Sequence, residues 1–194
     1  QISVLMHIAL LSLPTNFHCR KWALALRRAG AEVSVYSFEA GEIPGVRCVR
    51  LRAPVRWGGR YRYPSYWLTA GRLGQRLRRD GVDVLHPLHL TPFGTWAVRS
   101  GFRPVIAAAV GADVLEYPPA GTTSPLARGR GWDSTAAEQT AVDKHVAKLR
   151  HRFFQRQVAE VVQRSDHLTA DNMALLQALD EWFGAPREKL SLLR

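Results

Sequence analysis

The sequence predicts a single α/β domain, spanning residues 1–194, with a doubly wound, mostly parallel sheet and helices on both faces. Apolar runs alternate with stretches of helical periodicity along most of the chain. The composition, 46% hydrophobic and 22% charged, is typical of a globular domain. No uninterrupted apolar run reaches about 18 residues, so the sequence predicts no transmembrane helix.

The first half of the chain is expected to alternate between strands at 2–11, 32–37, 46–51 and 82–86 and helices at 17–29 and 66–81. The apolar start has no basic leader or small-residue cleavage site, which favours a buried strand over a signal peptide. Thr15 and Asn16 offer a cap for the first helix, and Gly30 ends it.

The second half is expected to continue with helices at 94–100, 135–164 and 172–183 and strands at 104–110, 167–170 and 189–193. Residues 116–133 are rich in Pro, Gly, Ser and Thr and predict a long loop. Asp171 is expected to cap the last helix, which Gly184 and Pro186 end.

The charge is unevenly distributed. Lys and Arg number 27 against 16 acids, for a net charge of +11. Ten of the arginines lie within residues 47–79, where no Asp or Glu occurs. A localised basic face predicts an anionic partner, which could be a phosphorylated substrate, an anionic lipid surface or nucleic acid.

Arginines alternate with aromatic residues between positions 56 and 67, a composition that suits contact with anions or a membrane surface. Alternatively, arginine stems cover the following helix and this loop contacts another domain. Nucleic acid is the least favoured partner. The residues predicted to make anion or membrane contact are Arg56, Arg60, Arg62, Trp67, Arg72 and Arg76.

Several common catalytic patterns are absent. The turn after the first strand lacks G-x-G-x-x-G, and the chain contains neither a P-loop motif nor a G-x-S-x-G elbow. Cys19 and Cys48 are too few for a disulfide framework, which favours a reducing cytoplasm, and their spacing does not match a zinc site. The sequence therefore predicts no metal site, and no residue of this chain is assigned a catalytic role.

Ligands of parallel α/β sheets bind at the carboxyl ends of the strands, which directs attention to residues 12–18, 86–94 and 110–117. Five segments at and around these turns resemble, in order, the family 4 type of glycosyltransferases with the GT-B fold. They are the opening strand–helix–strand at 6–36, DVLHPLHLTPFG at 83–94, PVIAAAVGADV at 104–114, RSDHLTADN at 164–172 and GAPREKL at 184–190.

The resemblance implies a Rossmann-like N-terminal, acceptor-binding domain of a retaining enzyme that uses a nucleotide-activated sugar. In that family the donor binds mainly to a second domain, which carries a Glu-x7-Glu motif, so no cofactor is expected here. This chain would end where that domain begins and would be inactive alone. Its implied partners are that C-terminal donor-binding domain and a sugar or lipid-linked acceptor, in the cytoplasm or at the inner face of an anionic membrane.

The resemblance also implies which residues present the acceptor, namely Asn16, His18, His86, His89 and Asp113. Each has a structural alternative. Asn16 could simply cap the first helix, the two later histidines could be satisfied turn or core residues, and Asp113 could cap a turn. A metal held by His86 and His89 would need further ligands that the sequence does not supply.

Two positions depart from the family pattern. Val110 stands where the family has a histidine, and Pro14-Thr15-Asn16 replaces a pair of glycines in the first loop. The alternative function is that of a non-catalytic, basic α/β module that binds anionic lipid or nucleic acid.

Overall fold

A computed structural model describes residues 5–54, 63–115, 118 and 141–193. Its strands are β1 (His7–Leu11), β2 (Glu32–Ser37), β3 (Arg47–Arg50), β4 (Val84–Pro87), β5 (Ile106–Ala109), β6 (His167–Ala170) and β7 (Leu190–Leu192). Its α-helices are α1 (Phe17–Arg28), α2 (Tyr63–Arg79), α3 (Thr95–Arg99), α4 (Ala112–Leu115), α5 (Ala141–Arg164) and α6 (Met173–Phe183).

All paired strands are parallel. Four strands pair in the order β3-β2-β1-β4 and three in the order β5-β6-β7. Parallel bridges from Leu85 to Val105 and from Leu88 to Ala108 join β4 to β5, so the two groups form one continuous sheet. The strand order reverses between β1 and β4, and such a reversal opens a crevice at the carboxyl ends of the strands. The predicted doubly wound α/β class is confirmed.

Helices cover both faces of the sheet. On one face, Cys19 and Ala23 of α1 pack against Leu10, Val33 and Val35. The larger cluster, on the other face, contains residues of α2, α3, α5 and α6, among them Leu73, Trp96, Val158 and Leu179. The alternation of side chains along each strand supplies both clusters.

Asp80, the residue after α2, ties that helix to the sheet. Its carboxylate accepts hydrogen bonds from the Tyr36 hydroxyl (2.6 Å) and from Arg76 Nε (2.9 Å). Burial alone would raise the pKa of Asp80, but the hydrogen bonds from Tyr36 and Arg76, with the charge of nearby Arg47, lower it below its usual range. Arg76 therefore has a structural partner directly after its own helix.

Some predicted boundaries are wrong. β1 begins at His7, and Leu5 and Met6 before it are exposed. Asn172, not Asp171, caps α6, since its side chain accepts a hydrogen bond from Leu175 N at 2.9 Å. The wide turn at Leu90–Gly94, before α3, and the short helix α4 were not predicted as helical.

Part of the sequence prediction lies outside the described residues. This holds for most of the expected loop at 116–133 and for Arg56, Arg60 and Arg62. In the part of the chain that is described, no helix combines the length and the hydropathy needed to cross a bilayer.

Candidate functional site

The crevice is bordered by the turns that follow β1, β4 and β5. In the turn after β1, Asn16 adopts an extended backbone and its Oδ1 accepts a hydrogen bond from His18 N at 2.8 Å. Asn16 is therefore the N-cap of α1, which is the structural role given above as the alternative to acceptor binding. His18 and Phe17 occupy the first turn of α1, with their rings in edge contact at 5.8 Å.

Phe17 is a residue that the sequence analysis missed. Its side chain is 72% exposed at the start of α1, beside His18. A large apolar side chain at the mouth of a crevice can pack against a ligand or against another domain. The signal that could have indicated Phe17 was its position directly after the N-cap residue, at the start of a helix that follows a strand.

His89 lies in the turn after β4 and has an unusual backbone, with a φ of 97°. Its Nδ1 contacts the carbonyl oxygen of Leu88. A carbonyl only accepts hydrogen bonds, so Nδ1 carries the proton and Nε2 keeps a free lone pair in the neutral ring. Burial, and then the charge of His18, lower the pKa of His89, which keeps the ring neutral near pH 7.

Asp113 is buried between the turns that follow β4 and β5. Its Oδ2 accepts a hydrogen bond from Leu90 N at 2.5 Å, and its Oδ1 accepts one from Val110 N at 3.0 Å. Burial raises the pKa of Asp113 to about 7, with a smaller contribution from the charge of Asp171, although the backbone hydrogen bonds act in the opposite direction. The carboxyl group thus joins the two turns, which fits the turn-capping role given above as the alternative to acceptor binding.

The structure places His86 inside the sheet. Its side chain is buried, its Nδ1 donates a hydrogen bond to the carbonyl oxygen of Ile106 at 2.5 Å, and its ring is in edge contact with Trp22 at 5.4 Å. Burial lowers the pKa of His86. These contacts are those of a satisfied core histidine, which was the alternative that the sequence left open.

A cavity of about 720 Å³ lies beside the crevice, next to β2 and β3. Its lining is mostly uncharged but includes four charged residues, Arg20 of α1, Glu39, Glu42 and Arg50. This cavity was not among the sites predicted from the sequence. The sequence EAGE at 39–42, directly after a buried strand, was the signal that could have indicated it.

The described members of the predicted anion or membrane contact, Trp67, Arg72 and Arg76, all lie on α2. Trp67 is partly exposed on α2, with its ring 5.7 Å from that of Phe153, and the guanidinium of Arg99 lies 5.1 Å from it. Arg72 lines a second cavity of about 690 Å³ together with Arg52, Ala53 and Pro54. Arg76 is paired with Asp80.

Among the residues that the structure describes, no three His, Cys, Asp or Glu side chains cluster in a way that could hold a metal ion. The two cysteines both contribute to the cluster beneath α1, and burial raises the pKa of the Cys19 thiol to about 11. A thiol with so high a pKa is a poor nucleophile at neutral pH.

Of the five predicted acceptor residues, His18 lies near enough to His89 for a charge on His18 to lower the pKa of His89. Asp113 lies behind the His89 turn and fixes the backbone of Leu90. The crevice therefore offers a neutral imidazole with an available lone pair and an exposed second histidine. Such groups can accept hydrogen bonds from hydroxyl groups or donate to anionic oxygens.

The fold resembles solved glycosyltransferases. Sucrose-phosphate synthase from Thermosynechococcus elongatus superposes with a TM-score of 0.65 at 15% identity, over 96% of this chain and 47% of that one. WaaG, a glycosyltransferase involved in lipopolysaccharide biosynthesis, gives 0.55 at 14% identity, over 96% and 44%. A glycosyltransferase from Rickettsia africae gives 0.51 at 10% identity, over 98% and 43%. The chain thus spans about half the length of each.

A search of curated proteins finds no match. A family model described as glycosyl transferase 4-like matches residues 7–132, which is more than half of the chain and includes the three turns of the crevice. The resemblance noted in the sequence is thereby confirmed, and the chain belongs to the glycosyl transferase 4-like family.

Proposed function

We propose that this chain is the acceptor-binding N-terminal domain of a glycosyltransferase that transfers a sugar from a nucleotide-sugar donor, with retention of anomeric configuration. The observation that carries the proposal is the match of the family model across β1 to β5, the part of the chain that builds the crevice. The GT-B structures to which the chain is similar are about twice as long. The donor is therefore expected to bind mainly to a second, C-terminal domain.

In this proposal His89 and His18 hold the acceptor. The neutral His89 ring accepts a hydrogen bond from the acceptor hydroxyl at Nε2, and this contact orients the hydroxyl oxygen toward the donor. Asp113 is a positioning residue, because its carboxyl group holds the amide of Leu90 next to His89. The acceptor is a sugar or a lipid-linked hydroxyl compound.

The test uses the natural full-length protein and a panel of nucleotide sugars and acceptors, with release of the nucleotide as the measurement. We expect turnover by the full-length protein and none by residues 1–194 alone. His89→Ala and His18→Ala should each lower kcat/KM by about tenfold or more, the loss expected when one hydrogen bond to the acceptor is removed.

His167→Ala is the matched control. His167 lies at the start of β6, the opposite end of the strands from the crevice, and its Nε2 bonds to the Ser191 hydroxyl. Its replacement should leave kcat/KM near the wild-type value. A full-length protein that turns over no donor would contradict the proposed activity, whereas turnover unaffected by either crevice histidine would contradict only the proposed site.

The alternative, a basic module without catalysis, makes a different prediction. The native polypeptide would then end near residue 194, and intact mass spectrometry of the endogenous protein would show a chain of about 21.7 kDa. The proposed enzyme predicts a mass about twice that value.

A further inference from the structure

The cavity of about 720 Å³ lies along β3, beside the segment 39–46 that connects β2 to β3. Its other walls are Pro14, in the turn after β1, and Arg20 of α1. Small-molecule sites commonly have volumes of about 300–1,000 Å³, whereas one water molecule occupies about 30 Å³. The space therefore suits an organic molecule better than a single ion. We call it the β2–β3 cavity.

The segment 39–46 forms a fixed wall of this cavity. Because β2 and β3 are parallel, the segment has to run back along the sheet, and it does so beside α1. Near its start, Glu39 N donates a hydrogen bond to the Ser37 hydroxyl at 3.1 Å. Near its end, Val46 N donates one to the carbonyl oxygen of Ile43 at 3.0 Å, and the Ile43 side chain is buried beneath α1.

Two arginines of α1 hold the main chain of the segment. Arg20 Nη1 donates a hydrogen bond to the carbonyl oxygen of Glu42 at 3.3 Å, and Arg27 Nη1 donates one to that of Pro44 at 3.1 Å. These two arginines are seven residues apart, which places them two turns apart on one side of the helix. The segment is thus fastened along most of its length.

Two glycines allow this close approach. A Cβ added at Gly41 would lie 2.7 Å from the Cβ of Pro14, so the main chain passes directly against the turn after β1. Gly45 has a φ of +68°, and a Cβ there would lie 2.0 Å from Arg27 Nη1. A wall that is fixed before a ligand arrives loses little conformational entropy when the ligand binds.

The β2–β3 cavity carries charges of both signs. Its cations are Arg20 and Arg50, and its anions are Glu39 and Glu42. Arg20, Arg50 and Glu42 are exposed, and they form no ion pair with any residue that the structure describes. The single bond from Arg20 to a main-chain carbonyl leaves most N–H donors of that guanidinium available.

This charge pattern favours a particular class of ligand. A molecule with one charge would be attracted by one pair of side chains and repelled by the other pair, whereas a molecule with both charges is complementary to all four. Guanidinium groups bind phosphate and carboxylate oxygens through paired hydrogen bonds, and a carboxylate accepts hydrogen bonds from an ammonium group.

We propose that the β2–β3 cavity binds a small zwitterion, which carries an ammonium group and a phosphate or carboxylate group. Arg20 and Arg50 bind the anionic oxygens, and Glu42 binds the ammonium group. The site is separate from the turn that carries His89. It does not depend on the proposed sugar transfer, so either proposal can fail without the other.

The experiment is isothermal titration of the natural full-length protein, without any nucleotide sugar, at about pH 7, where a phosphate monoester carries more than one negative charge. Glucosamine 6-phosphate, glucose 6-phosphate, glucosamine and glucose share one ring and differ only in their charges. We expect glucosamine 6-phosphate to bind at least about tenfold more tightly than each of the other three. The dipeptide alanyl-alanine tests the carboxylate source, and tighter binding of this probe would identify a carboxylate as the preferred anion.

Two charge-removing variants assign the roles of the side chains. Arg50→Gln and Glu42→Gln should each weaken binding of glucosamine 6-phosphate by about tenfold. Arg50→Gln should also abolish the preference over glucosamine, whereas Glu42→Gln should abolish the preference over glucose 6-phosphate. Loss of structure alone would not produce this exchange of preferences.

A third variant tests the space itself. Ala40 lines the cavity and is exposed, so Ala40→Tyr should obstruct the site while it keeps all four charges. The matched controls are Arg28→Gln and Glu188→Gln, which remove one exposed charge of each sign outside the cavity lining. Both controls should bind glucosamine 6-phosphate as the wild type does, and circular dichroism checks that every variant is folded.

Three results would overturn the proposal. The first is that neither glucosamine 6-phosphate nor alanyl-alanine binds. The second is equal affinity for glucosamine 6-phosphate and glucose 6-phosphate, because the cavity would then be a simple anion site. The third is binding that Arg50→Gln, Glu42→Gln and Ala40→Tyr all leave unchanged, because the ligand would then bind elsewhere on the protein.

Discussion

Asp113 shows how one buried carboxyl group can make the crevice sensitive to pH. Its folded pKa of about 7 lies above the value of about 3.9 for an unfolded chain. Between these values the folded state binds the proton more tightly, so the stabilising contribution of Asp113 is fully present below about pH 4 and is lost as the pH rises through 7. Asp113→Asn removes this titration.

Urea denaturation at several pH values between 4 and 8 checks this prediction. We expect the difference in unfolding free energy between wild type and Asp113→Asn to change in favour of the variant as the pH rises. Asp171→Asn removes the smaller, charge contribution to the raised pKa of Asp113, so it should reduce the dependence on pH without abolishing it. A difference that does not vary with pH would mean that Asp113 is already ionised at pH 4.

At the scale of the element, two glycines in α2 differ sharply in their surroundings. A Cβ added at Gly74 would lie 2.1 Å from the carbonyl oxygen of Ser100, at the end of α3, whereas a Cβ at Gly71 would meet no atom within 4 Å. Gly74→Ala must therefore push α2 away from α3, and we expect a loss of about 1–3 kcal/mol in unfolding free energy.

Gly71→Ala serves as the matched control, since it makes the same chemical change three residues earlier in the same helix. It should stabilise the protein by up to about 1 kcal/mol, because alanine favours the helical conformation. Thermal and urea denaturation of the two variants test the pair. Equal effects would show that the two helices do not approach closely at Gly74.

The helices and strands also differ in how well the sequence predicts them. Apolar runs predicted each strand that the structure describes, because aliphatic runs such as 105–110 mark buried strands well. Which of two neighbouring residues caps a helix was harder to predict. Asp171 and Asn172 are both good caps, and only the extended backbone of Asn172, with φ −152° and ψ 163°, decides between them.

The candidate site was less predictable than the strands, because the sequence does not fix the direction of each side chain. The rule that ligands bind at strand ends led to the turns after β1, β4 and β5, but it does not say which way a side chain points. His86 and His89 are three residues apart, yet one bonds to the main chain of β5 inside the sheet and the other lies in the crevice turn. Which side of α5 packs on the core is also not evident from the basic sequence of its 24 residues.

On the scale of the whole molecule, the junction between β4 and β5 decides whether the sheet unfolds as one cooperative unit. The main core cluster contains Ala9 and Leu11 of β1 as well as Leu168 and Ala170 of β6. We therefore expect both groups of strands to open together in global unfolding.

Hydrogen exchange at increasing denaturant concentration tests this expectation. The amides of β1 and β6 should show the same free energy of opening, despite the two bridges being the only strand pairing described between the groups. Earlier exchange of β5 to β7 would indicate two separately stable halves.

The order in which the chain builds the sheet has a consequence for engineering. The turns after β1, β4 and β5 all precede residue 116, whereas β6, α6 and β7 come from residues 167–192 and form the far edge. Chimaeras that keep the first 115 residues and take the remainder from a relative should therefore retain the turns that border the crevice while exchanging the edge strands. If the proposed function holds, such chimaeras would keep the acceptor preference of the protein that supplies the first 115 residues.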